Sequence, residues 1–434
     1  MDGGVIISIL GLIVGLVALI YMVMKGVNIF ITAFVCSAIV ALTSQMDMYE
    51  AFKVNYVEGF TAFFKANWLM FLTGTLMGVA MEMTHGAESI AKVLIKVFGK
   101  DKAIFSIPLA CGVLAYGGVS AFVCSFAVFQ IALQVFKEAD LPRRFIPAAL
   151  CFGCSTFAMV APGAVQIHNS IPANALGTTI GAGMVNGFIS CGVMLVLGCI
   201  ILQRMVQKEI KAGGHFVAKP GDDSEPVDHL PNPVIAILPL VITIVTINFK
   251  VLPLEVGVLA GAVSAVILMY GFVPKGELLT RAGDGCKTSI VSITNTCAVV
   301  AFGAVVQASK AFPVIIDAMT RIPGPPMVGV LIGTTVIAGI CGSASGGLGI
   351  ASAILGPIYT GMGVPAANLH RVMALSSSSL DSLPHNGYII TVTNGLCNET
   401  HKDAYGPVFW TTVVVPFIGA VVGVILFTLF PNLP

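Results

Sequence analysis

The chain contains two long apolar stretches of similar pattern, and small or polar residues interrupt each of them at corresponding points. The interruptions are Gly117–Ser120 and Ser155–Gly163 in the first half, and Gly342–Gly347 and Ser376–Gly387 in the second. Corresponding positions are about 223 residues apart, as Ser120 and Ser343 illustrate. Paired interruptions in the two halves of an apolar chain predict a transporter binding site to which both halves contribute.

Composition places the chain in a membrane. It is 56% hydrophobic and 10% charged, with a mean hydropathy of +0.95, whereas soluble domains carry about 25% charged residues. The net charge of +1 and the lack of a basic cluster indicate no nucleic-acid partner. The chain has no Gly-x-x-x-x-Gly-Lys-Ser/Thr loop, which argues against ATP-driven transport. The first apolar run, Val5–Met24, lacks a charged leader and a cleavage site, so we predict a retained span.

The 11 cysteines do not follow the spacing of a disulfide framework, because most lie inside apolar runs. There they act as small hydrophobic residues. Cys151 and Cys154 form a Cys-x-x-Cys pair, but no second pair or nearby histidine completes a metal site. We therefore expect packing roles for the cysteines, and neither a metal nor a cofactor.

The order of apolar segments predicts an all-α polytopic membrane protein built from two repeats. Each repeat has three spans, a re-entrant hairpin, an interrupted span and a final span, which gives five crossings. An odd number of crossings inverts the second repeat relative to the first. Short amphipathic helices around Ile90 and Phe312 are predicted to lie in the plane of the membrane interface.

The basic residues orient this arrangement. Sixteen of the 22 lysines and arginines fall on one predicted side, which the positive-inside rule makes cytoplasmic. The other six are Lys53, Lys65, Lys250, Lys310, Arg321 and Arg371. Both termini are then predicted outside. The hydrophilic stretch 207–232 is predicted to be an exposed linker on the inside. The first hairpin enters from the cytoplasm and the second from outside.

The four interruptions, meeting from opposite sides, predict one cavity near the middle of the membrane. Helix N-termini at the breaks offer free N–H groups and partial positive charge, which suit a carboxylate. No Arg or Lys falls within the interruptions, so we expect a substrate anion to rest on backbone dipoles and hydroxyls. The alternative is that the small residues only allow close helix packing. The candidate substrate-binding residues here are Gly118, Ser120, Ser155, Thr156, Ser343, Ser345 and Ser378.

Asp381 lies inside an apolar segment, where a carboxylate is costly unless it is paired, solvated or protonated. We predict that it binds a coupling proton, the alternative being that it accepts hydrogen bonds from the broken backbone. His168 and His385 follow the two Pro-containing breaks, and Asn169 and Asn386 come directly after them. All four are candidate substrate-binding residues, and His385 is also a candidate for proton coupling, although packing roles would explain them too.

The run Asp381–Gly387, preceded by Asn368–Arg371, resembles the gluconate permease family, which includes gluconate, glycerate and 3-hydroxybutyrate permeases. Cys151–Asn174 is similar to the first-half counterpart in that family. The resemblance implies proton-coupled uptake of a small hydroxymonocarboxylate by a homodimer with elevator-like motion. It also implies scaffold parts at 1–102 and 233–326, transport parts at 103–206 and 327–434, and the linker 207–232 between the halves.

The coupling ion and the class of transport leave alternatives open. The hydroxyl-rich breaks are similar to the Ser-Asn-Thr sites of sodium-coupled carboxylate transporters, but the tips ending at Ser120 and Ser345 lack Asn-Thr. This favours H⁺ over Na⁺. A passive organic-anion channel is the other alternative, although breaks from both sides favour alternating access. No nucleophile–base pair indicates an enzyme. We expect a bacterial-type inner membrane as the location, with the lipid bilayer, a small carboxylate and a second copy as partners.

Overall fold

A computed structural model describes residues 3–117, 119–164, 166–219, 222, 229–248 and 251–433, and their regular structure is entirely helical. The helices of the first half are α1 (Gly3–Met24), α2 (Ile29–Thr43), α3 (Met48–Glu50), α4 (Val57–Met83), α5 (Gly86–Phe98), α6 (Ser106–Tyr116), α7 (Ala121–Glu138), α8 (Ile146–Ser155), α9 (Ile167–Leu176) and α10 (Met184–Lys211).

The helices of the second half are α11 (Pro233–Asn248), α12 (Leu254–Leu268), α13 (Leu278–Gln307), α14 (Ala311–Thr320), α15 (Pro326–Cys341), α16 (Ala344–Gly361), α17 (Ala366–Ser377), α18 (Gly387–Ile390), α19 (His401–Phe409) and α20 (Val415–Leu429). Within the described ranges, five helical segments are long and apolar enough to cross a membrane: α1, α7, α10, α13 and the continuous helix His401–Leu429. The predicted all-helical, apolar character of the chain is confirmed.

The first helices of each half form matching pairs, α1 on α2 and α11 on α12, and the long helices α4 and α13 pack against each other. Close approach depends on small residues. A Cβ atom at Gly59 of α4 would lie 2.6 Å from Cβ of Ala304 in α13, which is too close for a real contact. In a membrane no hydrophobic force drives helices together, so they associate through close packing, which small residues allow.

The chain leaves the helix at both predicted hairpin tips, and a serine caps the helix that follows. Ser120 Oγ accepts a hydrogen bond from Val123 N at the start of α7. Gly342 adopts a left-handed φ of 59°, and Ser343 Oγ accepts from Gly346 N at the start of α16. N-capping satisfies backbone donors that would otherwise be unpaired at a helix start. These serines are therefore explained locally, by the turn that each one closes.

The two interrupted spans also break where the sequence predicts. The gap between α8 and α9 covers residues 156–166, and the gap between α17 and α18 covers residues 378–386. After α18 the helix continues as a π-helical turn, Thr391–Leu396. The far arm of the first break, α9, packs on α16 and α17 of the second half. The interrupted span of the first half is thus in direct contact with the hairpin and the interrupted span of the second half.

The stretch predicted as an exposed linker is held against the helices at one described point. Arg143 Nε and Nη2 donate to the two carboxylate oxygens of Asp222 at 2.5 and 2.8 Å, and its Nη1 donates to Glu399 at 2.6 Å. Lys219 Nζ lies 2.8 Å from Glu399. Burial disfavours the charged form of Arg143, but the two carboxylates outweigh this and its pKa lies above the ordinary value. Asp222 is 6% exposed, so full exposure of the linker is wrong at this residue.

Candidate functional site

In the first half, one side chain joins the broken span to the hairpin tip. Gln166, the residue before α9, donates from Nε2 to the carbonyl oxygens of Ala115 and Val119, at 2.6 and 2.9 Å. Ala115 lies in the last turn of α6 and Val119 in the tip that follows, where carbonyl oxygens depend on partners outside the regular helix. Gln166 is buried, so these bonds replace water at a depth where water is scarce.

In the second half, two side chains join the interrupted span to the hairpin tip in the corresponding way. His385 Nε2 donates to Gly339 O and Asn386 Nδ2 donates to Gly342 O, both at 3.1 Å. Asn386 also caps α18 by accepting from Ile389 N at 2.9 Å. The two acceptors lie about 223 residues after those of the first half, so the joint between break and tip is repeated. This gives His385 and Asn386 structural contacts. The Nδ1 atom of His385 is buried and has no partner among the described residues.

The hydroxyl candidates cluster at the two breaks, and most of their protons are already engaged. Ser155 donates to Cys151 O at 2.7 Å, Thr156 donates to Phe152 O, and Ser378 donates to Leu375 O at 3.1 Å. Such bonds satisfy carbonyls at the ends of α8 and α17. These hydroxyls can therefore still accept a hydrogen bond. At the second tip, Ser343 and Ser345 hydroxyls lie 3.4 Å apart. Gly118, also a candidate, lies outside the described residues.

A cation from outside the four interruptions reaches the first break, and its described hydrogen bonds all go to oxygen atoms of the protein. The expectation that a substrate anion rests on backbone dipoles and hydroxyls stays a prediction. Arg371 of α17 is fully buried and donates to Val160 O, at 2.5 Å, and to Asn169 Oδ1, at 2.6 Å. It also donates to Ala182 O and Ile180 O, at 2.9 and 3.0 Å. An arginine inside an apolar segment was the sequence signal. Its burial also removes it from the count of basic residues at the membrane surface.

The candidates beside this arginine differ in their bonding. Asn169 is fully buried and donates from Nδ2 to Ala161 O and Ala164 O, at 2.9 and 3.0 Å, so its amide holds the first break in shape. His168 is 4% exposed, and neither ring nitrogen has a partner within the part of the chain that the structure describes. Buried polar atoms are nearly always paired, so His168 retains an unused hydrogen-bonding capacity.

Asp381 lies in the second break with 6% of its surface exposed. Ser382 Oγ donates to its Oδ1 at 3.3 Å, and the Tyr405 hydroxyl donates to the neighbouring Ser382 carbonyl at 3.1 Å. Among the described residues, no lysine, arginine or histidine forms an ion pair with this carboxyl group. A buried carboxylate without a counter-charge is costly, and a carboxyl group in such a place is accommodated most easily as the neutral acid.

Three thiols that the sequence leaves far apart meet beside the first hairpin. The Sγ atoms of Cys111, Cys124 and Cys154 lie within 4.8 Å of one another, and all three side chains are buried. Ser125 Oγ donates to Cys154 Sγ at 3.5 Å and lies 2.6 Å from the Tyr388 hydroxyl. The cluster joins α6, α7 and α8, which spacing along the chain could not reveal. The packing role expected for the cysteines stays a prediction.

Comparison with known proteins gives a class. The chain is 28% identical to the uncharacterized transporter YxjC of Bacillus subtilis over 438 residues, covering 90% of this chain and 92% of that protein. It is 24% identical to an uncharacterized permease of Haemophilus influenzae over 423 residues, covering 88% and 83%. Together with the apolar helices, these relatives identify a multi-pass membrane transport protein.

Other comparisons are narrower. The chain is 30% identical to a gluconate permease of Pseudomonas aeruginosa over 109 residues, which are 25% of this chain and 24% of that one. The crystal structure of the Alcanivorax borkumensis YdaH transporter aligns over 88% of this chain and 89% of that chain, with 16% identity and a TM-score of 0.44. No protein-family model matches the chain. The relatives are permeases, and membership of the gluconate permease family in particular stays a prediction.

Proposed function

We propose that the protein is a secondary active transporter that takes up a small hydroxymonocarboxylate, of the size of gluconate or 3-hydroxybutyrate, together with protons. Binding would occur where the two breaks and the two hairpin tips come together. The class of substrate is supported by the relation to a gluconate permease over a quarter of the chain.

The observation that carries the proposal is Asp381, an acid buried in the second break without a basic partner among the described residues. A proton carrier must gain and lose its proton within one transport cycle, and a group with no fixed counter-charge is free to do so. The unpartnered Nδ1 of His385, in the same break, would supply a second proton-accepting atom. The carboxyl group would be neutral when buried and would ionise when the break opens to water.

The repeated joints support an alternating-access mechanism. Both halves place a break against a hairpin tip through side-chain amides or imidazole, and the acceptor positions correspond. Two such units in opposite orientations would expose one site to each side of the membrane in turn. We further propose that the parts 103–206 and 327–434 move together against the remaining spans, and that two copies associate through those spans.

Uptake into proteoliposomes tests the proposal. Purified protein is reconstituted with an inward proton gradient, and uptake of radiolabelled gluconate, glycerate and 3-hydroxybutyrate is compared with that of butyrate and citrate. We expect at least one hydroxymonocarboxylate to accumulate above its external concentration, and a proton ionophore to abolish the accumulation. Accumulation that survives the ionophore but requires Na⁺ would overturn proton coupling. Equilibration without accumulation would indicate a passive channel.

A further inference from the structure

A polar pocket lies beside the helical segment that continues from the second break. It has a volume of about 190 Å³ and lies between the α1–α2 turn, the middle of α13 and the end of the second interrupted span. This exceeds the ~30 Å³ that one water occupies in the liquid several times over, so the pocket has room for a small organic molecule. Its lining residues are all uncharged and include Asn28 at the α1–α2 turn, Asn295 of α13, and Ile390 and Asn394 after the second break.

The amides of this pocket have unused capacity. The side-chain amide of Asn295, in α13, has no hydrogen-bond partner within the described ranges. Asn394, in the π-helical turn, donates from Nδ2 to Glu399 O at 2.8 Å, which leaves its carbonyl oxygen as an acceptor. A hydroxyl group both donates and accepts, and an amide offers the complementary pair of atoms. The pair Asn295 and Asn394 is therefore suited to hydroxyl groups rather than to a charge.

Behind the two amides, hydroxyl side chains lie in the interface between α13 and the π-helical turn. Thr296 and Thr391 hydroxyls lie 2.6 Å apart and bond to each other. Ser292, one turn before Asn295 on α13, and Thr393, next to Asn394, are fully buried, and their hydroxyls have no partner among the described residues. Unpaired buried hydroxyls are uncommon in well-packed proteins, and each one indicates a missing partner such as a ligand or water.

Two glycines allow close packing at this interface. A Cβ atom at Gly395 would lie 3.1 Å from Ser292 Oγ, and one at Gly387 would lie 2.5 Å from Thr296 Cγ2. The π-helical turn Thr391–Leu396 places Thr391, Thr393 and Asn394 in the region facing α13. Single π-helical turns are often found at functional sites, since they re-aim side chains at an energetic cost.

We propose that this pocket binds the hydroxylated part of the transported acid, through Asn295 and Asn394, as the acid passes between α13 and the second interrupted span. The inference rests on the proposed function and adds to it the residues that distinguish hydroxy acids from plain fatty acids.

Uptake kinetics of Asn295→Ala and Asn394→Ala test the inference, with Thr294→Ala as the matched control. Thr294 is the neighbour of Asn295, does not line the pocket, and bonds within its own helix to Ile290 O. Labelled gluconate, glycerate or 3-hydroxybutyrate is used, whichever the wild type takes up best, with unlabelled butyrate as competitor. Loss of one hydrogen bond should raise KM about threefold to tenfold. The inhibition constant of butyrate and the maximal rate should stay near the wild-type values, and Thr294→Ala should behave as wild type.

Asn295→Ala is the decisive variant because it breaks no hydrogen bond of the described structure. Its thermal unfolding in detergent, measured without substrate, is expected to match the wild type, so that a change in KM reports binding. An unchanged KM in both asparagine variants would overturn this inference and leave the proposed function standing. An equal weakening of the hydroxy acid and of butyrate would also overturn it. If the wild type takes up none of the three hydroxy acids, the proposed function fails and the inference fails with it.

Discussion

The first break is closed around a cation, whereas the second encloses an acid. Arg371 donates to Val160 O in the gap between α8 and α9 and to Asn169 of α9. It also donates to Ile180 O and Ala182 O, which lie between α9 and α10, so its charge is spread over four oxygen atoms. Between α17 and α18, Asp381 has Ser382 as a neighbour and no basic partner among the described residues. The arginine at the first break is thus fully hydrogen-bonded, whereas the acid in the second accepts a hydrogen bond from Ser382 but has no cationic partner among the described residues.

This difference suggests that the two breaks have different roles. A guanidinium held by four acceptors fixes the geometry of the elements that it joins, because moving any of them breaks a charge-assisted bond. A carboxyl group without a counter-charge can change its protonation at lower cost. If the proposed function holds, we expect the first break to fix the geometry of the site and the second to carry the coupling proton.

The largest effect is expected from Arg371→Met. The variant leaves Val160 O and Asn169 Oδ1, which belong to fully buried residues, without the donor that Arg371 supplies, and each unsatisfied buried group costs about 1–3 kcal/mol. We expect little folded protein, measured by size-exclusion chromatography in detergent and by thermal unfolding. Arg371→Lys keeps the charge and part of the bonding, so it should recover some of the loss. Wild-type yield and stability of Arg371→Met would show that the first break does not depend on this residue.

A smaller effect is expected where break and tip are joined. Gln166→Ala removes two hydrogen bonds in the first half, and Asn386→Ala removes the bond to Gly342 O together with a helix cap in the second. At about 1 kcal/mol for each bond or cap, both variants should lose about 2 kcal/mol of stability. Thermal unfolding compares them directly. A loss confined to one half would mean that the repeated joints do not carry equal weight.

The smallest effects separate a packing role from a binding role for the hydroxyls. Thr156→Val and Ser378→Ala each remove a hydroxyl that bonds to a carbonyl of the helix directly before it, which is worth about 0.5–1 kcal/mol of stability. If the hydroxyls only satisfy carbonyls, KM for the transported acid should stay unchanged. If they accept a hydrogen bond from substrate, as the sequence predicts, KM should rise about threefold or more. Ser37→Ala, which removes a similar bond within α2, is the matched control.

The sequence predicted the breaks well because Gly, Ser and Pro act locally on the backbone. The gaps after Ser155 and Ser377 and the tips at Ser120 and Ser343 lie where those residues interrupt the apolar runs. Partners across the fold were not predictable in this way. Nothing in local pattern tells that Arg371 reaches Val160, which is 211 residues earlier in the chain.

Two further groups of residues could not be identified from the sequence, because contacts between distant parts of the chain assemble them. The thiol cluster brings together three helices, and the pocket at Asn295 and Asn394 depends on how α13 meets the π-helical turn. Asn295 lies in a long apolar helix, so its position alone was a weak signal. Its neighbours Ser292 and Thr296 pack closely against Gly395 and Gly387, a contact that only the folded chain brings about. Residues that act through tertiary contact are the ones that a single sequence does not identify.

The most direct test of the account is Asp381→Asn in proteoliposomes, with two kinds of uptake measured on the same preparation. The amide keeps the size and much of the hydrogen bonding of the acid but cannot carry a proton. We predict that proton-driven accumulation of the transported acid is lost, while exchange of labelled for unlabelled acid across the membrane continues near the wild-type rate. Asp381→Glu should retain part of the accumulation. Concentrative, ionophore-sensitive uptake at the wild-type level in Asp381→Asn would contradict the account.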